Sequence, residues 1–117
     1  MSDFAQMMAE LQVEYLASMP QKLDEIEAHL RARNQALLRD DFHKFKGTGK
    51  TYGLPEISEL CEVVEKICMG PVAAALTAVP IALKLLGQIH RSRLEKKPFE
   101  VSGLPDFLEL KKILEKA

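Results

Sequence analysis

With 117 residues the chain has room for one domain with one core, residues 1–117. Its 47% apolar and 28% charged residues are those of a soluble globular domain, and the lack of tryptophan beside abundant Leu, Ala, Glu and Lys favours helices over sheets. Sixteen basic against seventeen acidic residues, a formal net charge of −1, leave no basic footprint for nucleic acid and no polybasic membrane anchor.

Helical periodicity runs through almost the whole chain and no β pattern interrupts it. The opening Met1-Ser2-Asp3-Phe4 has no cationic stretch of the kind that begins a signal peptide. Phe4, Met7, Met8, Leu11, Tyr15 and Met19 recur at three- and four-residue spacing, so the first helix covers Asp3 to Met19. Pro20 then starts a second helix or kinks the first. Leu23, Ile26 and Leu30 carry the stripe on to about Ala32, before a loop near Arg33-Asn34.

The next helix spans about Gln35 to Tyr52 on a seam of Leu38, Phe42, Phe45 and Tyr52, with Gly49 filling the remaining seam position. Gly53-Leu54 ends it and Pro55 opens another at the favoured first position. That helix buries Ile57, Leu60, Cys61, Val64, Ile67 and Cys68 until Met69-Gly70-Pro71 stops it. A helix from Val72 to about Lys97 is apolar nearly all round in its first half, as central bundle helices are. Pro80 kinks or divides it. The stretch Val72–Leu86, interrupted by Thr77, Pro80 and Lys84, falls short of the roughly 18–20 apolar residues a membrane span needs. A short helix from Pro105 to about Lys116 closes the chain. Short connections imply antiparallel neighbours. The expected fold is all-α: an antiparallel up-down four-helix bundle core with additional N- and C-terminal helices, in a cytoplasmic protein of open oligomeric state.

Cys61 and Cys68, seven apart on one apolar face, are too distant for a disulfide and read as small buried hydrophobes. His29 and His90 stand alone among charged residues and read as surface histidines. His43 differs. At about 100° per residue it shares its side of the helix with Ala36, Arg39, Asp40, Lys46, Gly47 and Lys50, while the apolar seam points some 140° away. Lys46 and Lys50 beside an exposed imidazole disfavour the imidazolium but suit a histidine that takes on an anionic phosphoryl group. Gly47 at i+4 uncovers the ring for a docking partner, and Gly49 admits a neighbouring helix. Glu65 lies eleven residues beyond Leu54 as His43 lies eleven before it, so a hairpin sets the two at similar heights. A carboxylate there either fixes the ring tautomer and frees the other nitrogen to attack, or is a solvated edge residue.

The run His43-Lys44-Phe45-Lys46-Gly47-Thr48-Gly49-Lys50-Thr51-Tyr52-Gly53-Leu54, followed by Ile57, Leu60-Cys61 and Glu65, resembles the signature of histidine-containing phosphotransfer (Hpt) domains. The family pattern is His-x-Leu-Lys-Gly-small-small, a later glycine, then Leu/Ile and Cys, and a Glu or Gln on the next helix; Phe45 and Thr48-Gly49 depart from it mildly. The resemblance implies that His43 is phosphorylated, that Lys46 and Gly47 support it, and that Glu65 orients it. It also implies receiver domains of response regulators or hybrid kinases as partners, with Mg²⁺ and the reacting aspartate on their side. No residues suggest a metal or organic cofactor of the chain's own, and the carrier has no catalytic turnover.

Two other readings compete. Gly47-Thr48-Gly49-Lys50-Thr51 looks like the end of a phosphate-binding loop, but Lys44 stands where that motif needs glycine and a helix precedes it instead of a strand. A non-phosphorylated helical adaptor, docking a signalling partner through the methionine stripe or the apolar 72–86 segment, would make His43 dispensable.

Overall fold

A computed structural model describes residues 2–117; Met1, where the signal-peptide reading begins, lies outside them. Five helices follow one another: α1 (Ser2–Arg31), α2 (Gln35–Thr51), α3 (Pro55–Cys68), α4 (Val72–Leu94) and α5 (Pro105–Lys116). α1 packs on α2 and α4, α2 on α3, and α3 on α4, which closes a ring of four helices, while α5 lies against α3 and α4. Three-residue connections within the ring accord with antiparallel neighbours. Met19, Ile26, Leu38, Phe42, Leu60, Val64, Ile67 and Leu86 fill its centre.

Local chemistry sets the helix ends. Asn34 caps α2 by accepting the Leu37 N–H on its side-chain oxygen at 3.1 Å. At the other end Gly53 adopts φ 76°, and the Leu54 N–H returns to the Gly49 carbonyl at 2.8 Å, the closure a left-handed residue after a helix permits. Pro55 and Pro105 open α3 and α5 at the expected position. Glu56 in the first turn of α3 accepts from both the Nε (2.5 Å) and Nη2 (2.8 Å) of Arg93 near the end of α4. The pair ties the two helices together and pushes the Arg93 guanidinium pKa up through the bonds to Glu56.

Pro20 neither starts a helix nor ends one: α1 runs through it, so the extra N-terminal helix is a continuation of α1. The reason lies on another helix. Pro20 has no N–H for the Leu16 carbonyl, and His90 of α4 supplies it instead, Nε2 donating at 2.8 Å. His90 is therefore no lone surface histidine. His29 is not one either, because its Nδ1 lies 2.6 Å from Asp41 Oδ2 and joins α1 to α2.

α4 also continues through its proline, Pro80, with Ala75, Ala78, Val79, Ala82, Leu85, Leu86 and Ile89 buried. At 23 residues it is, by length and composition, long and apolar enough to cross a membrane, where the sequence pattern stopped short. Its nearly all-round apolarity has a local use, since α3 and α1 cover one side and α5, with Phe107 and Leu110 fully buried, covers another. Both cysteines are buried and unpaired, as their spacing implied. The methionine stripe divides: Met19 is core, while Met7 near the start of α1 is exposed together with Phe4.

Candidate functional site

α2 and α3 form the hairpin that carries the site. Gly49 lets them approach: a Cβ there would stand 2.9 Å from the Cβ and Cγ2 of Ile57. Ser58 of α3 donates to the Lys46 carbonyl at 2.5 Å and adds a polar tie between the two helices. With this register fixed, the eleven-and-eleven spacing about Leu54 brings Glu65 to His43. The imidazole Nδ1 lies 2.7 Å from Glu65 Oε2, and the Lys46 ammonium lies 2.7 Å from the other oxygen, Oε1.

Glu65 is buried (5% exposed) whereas the His43 side chain is 64% exposed. Burial pushes the Glu65 carboxyl pKa up, but the hydrogen bonds from Lys46 and His43 and their charges outweigh it and hold the group below its ordinary value. An ionised carboxylate only accepts, so Nδ1 carries the hydrogen and the Nε2 lone pair faces solvent. The arrangement is a nucleophilic nitrogen held in one tautomer at an open surface.

The remaining expected site residues sort by position. Gly47 faces open space, since a Cβ there would meet nothing within 4 Å; the bare surface lies on the His43 side of α2 and not against another helix. Lys46 stands one turn from His43 as expected, but its ammonium is engaged by Glu65 instead of being held out toward an incoming anion. Lys50 is exposed seven residues beyond His43, roughly 10 Å along the helix axis, and makes no ion pair among the described residues. Arg39, Asp40 and Ala36 line a shallow depression with His43 and Glu65. A second groove, between α1 and α2, is lined by Lys22, Ile26, Asp41 and Phe45 among others and does not include His43.

One contact near the site was not foreseen. Thr48 donates to the Lys44 carbonyl at 2.9 Å, so the Tyr15 hydroxyl, 2.9 Å from the Thr48 oxygen, is the donor of that pair. Burial pushes the Tyr15 phenol up to about 12. Tyr15 also stacks on Tyr52 at 5.0 Å between centroids, which pins α1 to the half of α2 beyond His43. The seam position of Tyr15 was the only hint in the sequence. Among the described residues no three His, Cys, Asp or Glu side chains gather into a metal site.

A family model for the Hpt domain matches residues 10–96, more than half of the chain. The chain belongs to the Hpt domain family. Hpt domains are helical bundles that carry phosphoryl groups in two-component phosphorelays, and the match takes in the whole His43–Glu65 hairpin and nearly all of the four-helix ring. It leaves out the first turns of α1 and all of α5. No curated protein and no solved structure gives a match. The phosphate-binding-loop reading falls on the fold, because residues 47–51 of this Hpt domain are helical and no strand precedes them among the described residues.

Proposed function

We propose that this Hpt domain, residues 1–117, is a cytoplasmic phosphocarrier that takes a phosphoryl group onto His43 from the aspartate of a receiver domain, or returns it there. The observation that carries the reading is the buried Glu65 on Nδ1 with Nε2 left open. In the forward step the Nε2 lone pair forms the N–P bond as the aspartyl O–P bond breaks and the aspartate leaves as a carboxylate. Positive charge then developing on the ring is held by Glu65 through Nδ1–H. Lys46 keeps Glu65 ionised, and Gly47 leaves the approach to the imidazole unobstructed. The chain takes and gives one group and has no turnover of its own.

The test is to mix the purified protein with a phosphorylated receiver domain, with His43→Gln alongside, and to look for acid-labile, base-stable phosphate. Label on the wild type and none on the variant is the expected result. The variant should fold with a stability change of about 0.5 kcal/mol or less, because position 43 is exposed and Glu65 keeps Lys46. A His43→Gln protein that still binds its partner, from a wild type that never takes label, would favour the adaptor reading.

A further inference from the structure

We infer that Arg39 is the side chain that binds the phosphoryl group on His43, an inference that rests on the phosphocarrier reading and adds a residue to it. A phosphoryl group on Nε2 places anionic oxygens above α2, and the cations within reach are few. Lys46 is one turn away, but its ammonium lies 2.7 Å from Glu65. Moving it to the phosphate would strip a buried carboxylate of a charged partner at the moment Glu65 must also hold the imidazole. Lys50 is seven residues from His43, and Lys44 points about 100° round the helix from it.

Arg39 is one turn before His43, about 40° round the helix from it, at the spacing where side chains of neighbouring turns meet. It is exposed, lines the same depression as His43 and Glu65, and makes no ion pair or side-chain hydrogen bond among the described residues. Its guanidinium offers a planar fork that matches two phosphoryl oxygens, which an ammonium cannot do. Asp40, also in the depression, stands about 60° round on the other side of His43. Its charge repels the phosphoryl oxygens and turns them toward Arg39. Gly47 keeps the opposite turn bare, so an approaching donor meets a cation on one side of the ring and no side chain on the other.

Phosphoramidate, a small donor, tests this without a receiver. Its N–P bond breaks as Nε2 attacks, and ammonia leaves after taking up a proton from water. With the full chain, Arg39→Gln should raise the half-saturating phosphoramidate concentration and shorten the phosphohistidine lifetime, each by about tenfold, the ratio one charge-assisted hydrogen bond gives. Arg39→Lys should recover part of both. Thermal unfolding of Arg39→Gln should match the wild type, since the side chain is exposed. Loading and lifetime at wild-type values in Arg39→Gln would overturn the inference and leave the carrier reading standing. A wild type that takes no label from phosphoramidate or from any phosphorylated receiver would overturn both.

Discussion

Glu65 joins the His43 imidazole and the Lys46 ammonium of α2 through one buried carboxylate, and its replacement separates charge from shape. In Glu65→Gln the amide oxygen still accepts from Nδ1, but the amide nitrogen faces the Lys46 ammonium and the charge that held both is gone. We expect phosphoryl transfer to slow about 10- to 100-fold, the range typical of lost orienting partners of a histidine, with a stability loss of about 1–2 kcal/mol. The pH dependence follows from the lowered Glu65 pKa. A carboxylate whose folded value lies below its unfolded one stabilises the fold above the ordinary carboxylate range and loses that contribution as pH falls through the folded value. Urea midpoints of wild type and Glu65→Gln should thus differ at neutral pH and converge in acid. A difference that persisted in acid would assign the loss to packing. Counting from the Leu54 turn was enough to set Glu65 beside His43, since that needs only a hairpin. It did not show that Lys46 is taken up by the same carboxylate, because periodicity tells which side a residue is on and not which of two neighbours claims it.

At the scale of the helix, spans and ends were legible wherever local chemistry decides them, at Asn34, Gly53, Pro55 and Pro105. Pro20 was not, because its effect depends on His90, far along the chain on α4. The Leu16 carbonyl that Pro20 orphans is satisfied by His90, so His90→Ala should cost about 1–2 kcal/mol by leaving a buried acceptor unpaired. In a Pro20→Ala background a backbone N–H serves that carbonyl, and the same change should cost much less. A double-mutant cycle read by chemical denaturation measures the difference, and additive effects would show that the contact does not compensate the proline. Gly49 offers a second element-scale test. Gly49→Ala forces a Cβ to 2.9 Å from Ile57, so α2 and α3 must part by a few tenths of an ångström at a cost of about 1–3 kcal/mol. Transfer should fall with it although His43 and Glu65 are both intact, because the close approach of the helices that brings them to 2.7 Å is loosened. A stable, fully active Gly49→Ala would mean that the hairpin tolerates a wider spacing.

Across the whole molecule the sequence pattern conveyed a helical bundle but not what covers α4, since an all-round apolar helix reports only that it has neighbours. The family match ends at residue 96, yet α5 beyond it buries Phe107 and Leu110 completely against α3 and α4, and Lys84 reaches Asp106 at 3.1 Å. Burying two such side chains stabilises by about 3–6 kcal/mol, a large share of the roughly 5–15 kcal/mol that holds a domain of this size together. The other end of the chain is the natural control, because Phe4 and Met7 in the first turns of α1 are exposed. Removing residues 105–117 should lower the thermal midpoint by about 10 °C or more, on the order expected for such a loss in a domain of about 100 residues, or leave the chain aggregated through the uncovered face of α4. Removing residues 1–9 should shift it by no more than a few degrees. If the chain without α5 instead melted with the full-length protein, the four-helix ring would be self-sufficient, and the apolar breadth of α4 would need another explanation than the helix now lying on it.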